Sequence, residues 1–176
     1  MKRSLRFDDL AERHPLDPAQ LDSCANAAKV RLHAHHQPPV DFQMLSQGRA
    51  QVLEVQWTPP TPLLLRSYAN SDDAKRDGAY AMALAAVEEL DSLVGIARTE
   101  TKSGADYFVA KKGSDPEDLE EALRLEVSGT DGDETQIRYR LKQKQQQTRD
   151  GNRDEPAIAA VVGFKAKLIL VEPVES

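Results

Sequence analysis

The sequence predicts an α+β fold in three layers (α/β/α), with a mixed central sheet flanked by helices. Two observations lead to this prediction. After residue 70 the elements follow in the order helix, strand, strand, strand, helix, strand, which places helices on both faces of one sheet. Before residue 70 the chain reads as one helix followed by one hairpin. We therefore expect a single domain in which residues 1–69 extend a core formed by residues 70–176.

Composition limits the class of protein. The chain has 176 residues, enough for one domain with a hydrophobic core, and its 40% hydrophobic and 30% charged residues are typical of a folded globular protein. The net charge of −6 argues against a protein that coats nucleic acid through bulk charge. The single cysteine, Cys24, indicates a reducing compartment, and the sequence shows neither a secretory signal nor a membrane span. We therefore expect a cytoplasmic protein that does not bind membranes.

The first firm helix signal lies at Asp17 and Pro18. Asp17 suits the N-cap and Pro18 suits the first helical position. Apolar residues recur at helical spacing as far as Leu32, and the pair Pro38 and Pro39 cannot continue a helix. The sequence therefore predicts one amphipathic helix in this region.

The flanking segments are less regular. Residues 1–15 are charged and predict a short helix or an arm. Residues 41–57 predict a hairpin that turns at Gln47 and Gly48. Three prolines then force an irregular crossing, and Leu63–Leu65 predict a short buried segment.

A second helix begins at Asn70, whose side chain suits a cap, and continues to about Leu90. Gly78 weakens this helix by roughly 1 kcal/mol relative to Ala, so we expect another element to approach it closely there. The later predicted elements are a strand at 93–97, a turn at 102–104, a strand at 107–109, an acidic loop at 112–121, a strand at 123–128, a helix at 134–150 and one central strand in the run 157–174, bent at Gly163.

Two of these strands carry carboxylates. Asp106 lies at the start of one strand and Glu126 in the middle of the next, where alternation places Glu126 and Ser128 on one face and Leu125 and Val127 on the other. If the strands pair as a hairpin, both carboxylates can share a face. A carboxylate within an apolar strand is costly to bury unless it is paired or binds a metal. Mg²⁺ or Mn²⁺, completed by waters and a substrate phosphate, would provide that compensation.

Simpler interpretations remain for these features. Asp106 and Glu126 could lie on a solvated face of the sheet or pair with Arg98 and Arg124. The charge run in the helix from Glu134 to Thr148 could be an ordinary solvated face rather than a surface for phosphates. The residues alone leave both pairs of alternatives open.

A histidine cluster follows the first helix. His33, His35 and His36 suggest a zinc site, yet no cysteine partner is near in sequence. Imidazoles in this position are more typical of favourable cations at the C-terminus of a helix. Cys24 lies on the apolar stripe of that helix and predicts a small core residue.

The element order and two short motifs resemble the PD-(D/E)xK nuclease superfamily over about residues 70–172. GADY, ending at Tyr107, stands where the family has its metal-binding Asp, and LEVSG, which contains Glu126, stands where the family has Glu-x-Lys. The resemblance implies a restriction-endonuclease-like core and an Mg²⁺- or Mn²⁺-dependent nuclease that acts on DNA. It implies that Asp106 and Glu126 bind the metal and act in catalysis, with Glu88 or Glu89 as the acidic residue of the preceding helix.

The resemblance has one serious departure. Ser128 occupies the catalytic position of the family's lysine, and a serine cannot carry that positive charge. Some members recruit a lysine from elsewhere in the chain. The candidates here are Lys102, Lys142, Lys144, Lys165 and Lys167. The sequence does not choose among them.

The helix after the second motif implies a nucleic-acid contact. Members of the family place a Gln or Lys of this helix towards the active site, and the corresponding residues here are Gln136, Arg140, Gln143 and Lys144. The negative net charge further suggests a protein partner or a homodimer, as in a bacterial defence or restriction-type system. The alternative is an inactive nuclease-fold interaction subunit, whose acidic loop at Asp115–Glu121 meets a basic partner, or an acidic inhibitor that mimics nucleic acid.

Overall fold

The computed structural model of the chain describes residues 2–100, 105–151 and 155–175, which form a three-layer α+β fold around an eight-stranded mixed sheet. This confirms the predicted fold class. The strands are β1 (Arg3–Ser4), β2 (Val40–Ser46), β3 (Arg49–Val55), β4 (Leu93–Arg98), β5 (Tyr107–Lys111), β6 (Leu123–Thr130), β7 (Ala157–Gly163) and β8 (Leu168–Val174). The helices are α1 (Pro18–His33), α2 (Pro62–Ser67), α3 (Ser71–Asp91) and α4 (Glu134–Gly151). None of these helices has the length and apolarity to cross a membrane.

The strands lie in the order β1-β3-β2-β8-β7-β6-β5-β4. The pairs β4–β5, β5–β6, β7–β8 and β2–β3 are antiparallel, whereas β1–β3, β2–β8 and β6–β7 are parallel. Helices α1 and α3 cover one face, where the main core lies. Helix α4 covers the other face, where Ile137 packs against Val161, Leu168 and Leu170. Every predicted site residue therefore lies on a strand or helix that the sheet holds in place, or directly beside one.

The capping signals of both long helices are confirmed. The Asp17 side chain accepts a hydrogen bond from the Gln20 main-chain N at 3.0 Å, and Asn70 caps α3 in the same way. The close approach expected at Gly78 is also present, because a Cβ there would lie 2.9 Å from the Ala28 backbone of α1. The small residue therefore allows α1 and α3 to pack closely on the sheet.

The prediction of one central strand in the C-terminal run is wrong. The run forms two antiparallel strands, β7 and β8, with Gly163 opposite Leu168. The turn between them contains Lys167 at a φ of 56°. This is a left-handed conformation, which is uncommon for a lysine and which the sequence therefore does not indicate. Hydropathy misses the turn because β7 and the first four residues of β8 are apolar and buried.

Other local predictions also need correction. Leu63–Leu65 belong to helix α2 rather than to a buried segment, and Leu63 is 68% exposed. Residues 2–15 form β1 and one 3₁₀ turn at Leu10–Glu12 in place of a short helix. The acidic loop at 112–121, in contrast, is present as predicted and contains turns only. The predicted turn at 102–104 lies outside the described residues.

Candidate carboxylate–lysine site and its cleft

The β5–β6 register brings the two predicted carboxylates together. Tyr107 pairs with Leu125, so that one further step of the register places Asp106 opposite Glu126. Asp106 precedes β5 rather than lying within it, since the ladder ends at Tyr107. Directly opposed residues of antiparallel strands are neighbours in space. The hairpin expected from the sequence therefore forms and opposes the two acids.

The predicted alternation along β6 is also observed. Leu125 and Val127 belong to the main core beneath α1 and α3. Glu126 and Ser128 are bonded to side chains of α4 on the other face. The alternation of side chains therefore aims two polar groups of a buried strand at one basic helix.

Asp106 is held by two hydrogen bonds. Its Oδ2 accepts from the Val127 main-chain N at 2.8 Å, and its Oδ1 accepts from the Tyr80 hydroxyl at 3.2 Å. The Arg98 guanidinium lies 4.8 Å from the ring centre of Tyr80 and 4.7 Å from that of Tyr107. These contacts orient the carboxylate at the point where β5 leaves β6.

Glu126 has a strongly perturbed acidity. Its side chain is 3% exposed, and burial raises its pKa to about 7, with a further contribution from the negative charge of Asp106. The Lys144 ammonium donates a hydrogen bond to Glu126 Oε1 at 2.7 Å and opposes this rise. The charge of the Arg98 guanidinium also opposes the rise, so that burial is the main cause of the raised pKa of Glu126.

Of the four candidate lysines that the structure describes, one, Lys144, contacts a carboxylate of the site. Lys144 lies on the sheet side of α4, in the same stripe as Ile137, and reaches Glu126. Lys142 is exposed on α4, and Lys165 and Lys167 are exposed in the β7–β8 turn; Lys102 lies outside the described residues. Helical phase could have identified Lys144, because it follows Ile137 by two turns whereas Lys142 does not.

Ser128 opens onto a cleft beside the carboxylates. It is 7% exposed, and its Oγ accepts a hydrogen bond from Arg140 Nη1 at 3.3 Å. The cleft has a volume of about 370 Å³. Its lining residues are Asp72, Lys75, Arg76, Val127, Ser128, Gly129, Arg140 and Lys144. Four of them are cations and one is an acid, in a protein whose net charge is −6.

The structure does not bring Glu88 to this site. Its carboxylate accepts hydrogen bonds from Arg13 Nε and His14 Nε2, each at 2.6 Å. His14 in turn accepts from the Gly95 main-chain N at 2.9 Å, and burial lowers the pKa of its imidazole. Glu88 lies about 12 Å along α3 from Tyr80. The catalytic assignment of Glu88 therefore has no geometric support, and neighbouring Glu89 instead forms an ion pair with the N-terminal arm.

Of the four predicted nucleic-acid contacts, two line the cleft and two do not. Arg140 and Lys144 point into it. Gln136 accepts a hydrogen bond from the last residue of β6 at 3.3 Å, and Gln143 is exposed and bonded to a neighbouring tyrosine. Neither glutamine lines the cleft, although Gln136 lies one helical turn before Arg140 on the same side of α4.

The predicted histidine cluster is dispersed. His35 Nε2 lies 3.1 Å from Asp131 Oδ1, and His36 Nε2 lies 2.7 Å from the main-chain oxygen of Phe164. His33 instead accepts from a tryptophan on the β3 side of the fold. Across the described ranges, no group of three or more His, Cys, Asp or Glu side chains is arranged to hold a metal ion.

The two carboxylates nevertheless fit the hard cation that the nuclease resemblance implies. Mg²⁺ uses one or two protein carboxylates and takes its other ligands from water and substrate phosphate. Glu126 Oε2 accepts no hydrogen bond from the described part of the chain, so that its lone pairs remain available. Burial, and after it the negative charge of Asp106, raises the Glu126 pKa, and a bound cation would favour the ionised carboxylate.

Sequence reasoning missed the contribution of α3. Lys75, Arg76 and Tyr80 come from its first half and complete the cleft and the Asp106 contact. The spacing of Arg76 and Tyr80 could have indicated a shared face, since residues three or four apart on a helix are neighbours. Comparison of the chain with family models, with curated proteins and with solved structures finds no match.

Proposed function

We propose that this protein is a metal-dependent, nuclease-like domain that hydrolyses phosphodiester bonds of DNA. One observation carries the proposal. Lys144 Nζ lies 2.7 Å from Glu126 Oε1, beside Asp106, and so supplies from α4 the amine that Ser128 cannot supply from β6. An acid pair with an adjacent lysine is the set of groups that the PD-(D/E)xK resemblance calls for.

The roles of the side chains follow from their chemistry. Asp106 and Glu126 would hold Mg²⁺ or Mn²⁺, which when bound provides Lewis-acid charge and lowers the pKa of a coordinated water. The Lys144 ammonium would hydrogen-bond the attacking water or an oxygen of the phosphate, where negative charge develops. Glu126, with a pKa of about 7, can exchange a proton with water near neutral pH. Tyr80 positions Asp106.

Partners and location belong to the same proposal. The net charge of −6 disfavours an isolated DNA-binding protein, so we expect a protein partner or a second copy to supply positive surface. Such an assembly would suit a bacterial defence or restriction-type system. A cytoplasmic location accords with the single reduced cysteine, Cys24.

Cleavage of plasmid and linear DNA in Mg²⁺ or Mn²⁺ tests the activity. We expect Asp106→Asn, Glu126→Gln and Lys144→Gln each to lower the cleavage rate roughly 1000-fold, because each removes a group that acts on the transition state. Two matched controls should cleave like the wild type. Lys142→Gln removes an exposed charge from the same helix, and Glu88→Gln changes a carboxylate that lies away from the site.

The cleavage assay also has a clear negative outcome. If the wild-type protein, alone and together with the products of neighbouring genes, cuts neither duplex nor single-stranded DNA, the nuclease proposal fails. Equal loss in Lys142→Gln and Lys144→Gln would also contradict it, since only Lys144 contacts Glu126.

A second candidate function has its own supporting observation. Both oxygens of Asp106 accept hydrogen bonds and Lys144 pairs with Glu126, so that the site is stable without a cation. An inactive interaction subunit would use such a site structurally and present the exposed acidic segment 115–121 to a basic partner. Calorimetric titration with Mn²⁺ separates the two candidates, because the subunit would show no heat of binding that depends on Asp106.

A further inference from the structure

The cleft beside the carboxylates lies at a gap in the sheet. The β5–β6 pairing ends at Leu125, so that Val127 and Gly129 have β7 as a strand neighbour on one side and no strand on the other in the described structure. Helix α3 approaches the gap closely. A Cβ on Gly129 would lie 2.4 Å from the Lys75 main-chain oxygen. The gap is thereby given a floor from β6 and walls from α3 and α4.

Arg140 is the most available cation of this cleft. Within the described ranges no carboxylate lies in ion-pair distance of its guanidinium, and its hydrogen bond goes to Ser128 Oγ. A half-buried guanidinium beside a neutral hydroxyl favours an anion, which it can hold through two parallel hydrogen bonds. Phosphate oxygens suit this geometry.

The neighbouring groups add donors. Ser128 accepts from Arg140, so that its own hydroxyl proton is available to an anion in the cleft. Lys75 is paired with Asp72, which is 88% exposed, and the exposed Arg76 is paired with Asp73 and Asp77 of the same helix. Exposed pairs of this kind contribute little and exchange partners readily. Hydrogen-bond donors from α3, β6 and α4 therefore line the same cleft.

We infer that the cleft formed by Lys75, Arg76, Ser128 and Arg140 binds a backbone phosphate of a nucleic-acid strand, adjacent to the phosphate that Asp106, Glu126 and Lys144 would act on. The inference rests on the proposed function for the identity of the strand. Lys144 lines the cleft and also contacts Glu126, so that the two positions are contiguous. A polymer with a phosphate at every unit can occupy both positions, which a single free phosphate cannot.

Binding in EDTA, where cleavage is suppressed, tests this site directly. The probe is a short fluorescein-labelled DNA strand, and its affinity for the full chain is measured by fluorescence anisotropy over a range of salt concentrations. We expect Arg140→Gln to weaken binding roughly tenfold and to lower the slope of log affinity against log salt by about 1. Ser128→Ala should weaken binding about threefold through the loss of one hydrogen bond.

Arg138→Gln is the matched control. It removes the same charge from the same helix, but Arg138 is exposed and paired with Glu134 at 2.7 Å, outside the cleft. Its affinity should stay within about twofold of wild type. Equal weakening in Arg138→Gln and Arg140→Gln would overturn the inference, as would unchanged binding in both Arg140→Gln and Ser128→Ala.

Competition experiments identify the ligand. Unlabelled DNA should displace the probe, whereas inorganic phosphate and polyglutamate should displace it only at far higher concentrations of charge. Displacement by inorganic phosphate at the same phosphate concentration would overturn the assignment of a strand, and equal competition by polyglutamate would overturn that of a phosphate. Arg140-dependent binding without cleavage supports the inference while the proposed function fails. If the protein cleaves DNA but its binding does not depend on Arg140, the proposed function stands and the inference about the cleft fails.

Discussion

Two glutamates, Glu88 of α3 and Glu126 of β6, lie in contrasting electrostatic settings. Near the C-terminal end of α3, Glu88 accepts hydrogen bonds from Arg13 and His14, and Arg13 is also paired with Asp9. Beside the first half of α3, Glu126 has one lysine, an adjacent carboxylate and an open cleft. The Glu88 side chain is 18% exposed and that of Glu126 is 3% exposed.

The comparison separates a structural network from a reactive site. Around Glu88 the donors saturate the carboxylate and tie the N-terminal segment to α3 and β4. Around Glu126 the charges of Lys144 and Arg98 oppose that of Asp106, yet burial, the largest influence on the pKa, favours the protonated acid. Perturbed acidity beside an open cleft is a mark of functional sites, whereas saturated pairs are usually structural.

The largest effect that we expect from the contrast between Glu88 and Glu126 is a dependence of the free energy of unfolding on pH. The folded-state pKa of Glu126, about 7, lies above its ordinary value of 4.5. The contribution of Glu126 to the free energy of unfolding is therefore complete below about pH 4.5 and is lost as the pH rises through 7. The total loss amounts to roughly 3 kcal/mol. Urea unfolding in EDTA at pH 5 and pH 8 measures the loss for the wild type, and Glu126→Gln should remove this component.

A divalent cation should reverse that loss. Mn²⁺ added at pH 8 is expected to raise the free energy of unfolding of the wild type and not that of Asp106→Asn, because the cation offsets the paired negative charges. If the wild type is equally stable at pH 5 and pH 8, Lys144 fully neutralises Glu126. If its stability does not respond to Mn²⁺, the two carboxylates do not bind the cation.

A second effect tests the opposite end of α3. Glu88→Ala removes the acceptor of Arg13 Nε and His14 Nε2, and we expect the free energy of unfolding to fall by about 2 kcal/mol. Urea denaturation at pH 7 measures this. Glu54→Ala, which removes a carboxylate from β3, is the control and should change stability by less than about 0.5 kcal/mol. A similar loss of stability in both variants would mean that the hydrogen bonds of Glu88 contribute no more than the carboxylate of Glu54.

The smallest effect concerns the orientation of Asp106. Tyr80→Phe removes the hydroxyl that donates to Asp106 Oδ1 and leaves the ring beneath Arg98 in place. We expect Mn²⁺ affinity, measured by calorimetry, to fall about tenfold, as for other groups that orient metal ligands. Tyr139→Phe, on the exposed side of α4, should leave the affinity unchanged. An unaltered affinity in Tyr80→Phe would make Tyr80 a packing residue only.

Much of the scaffold was predictable because its signals are local. Asp17 and Asn70 marked helix starts through their own side chains, and alternation along β6 assigned Glu126 and Ser128 to one face. The turn before β8 was missed because its polar signal is limited to Lys165 and Lys167, and Lys167 takes a left-handed conformation without a glycine.

The candidate site was only half predictable, for a different reason. The two acids lie on neighbouring strands whose pairing follows from a hairpin. Lys144, Lys75 and Tyr80 reach the site from helices on opposite faces of the sheet. Which helical residue reaches a strand depends on the rotation of the helix about its axis. Ile137 shows the rotation of α4, because it packs against β7 and β8. That packing is known only from the structure.

The position of β8 has a consequence for how the protein is made. This strand lies in the interior of the sheet, and Gln43 of β2 pairs in parallel with Leu168 of β8. On the ribosome the β2–β3 hairpin therefore emerges long before its neighbour has been synthesised. Its unpaired edge stays open to other nascent chains until β8 has left the exit tunnel. The sheet can close only late, so that folding speed depends on a contact between distant parts of the chain.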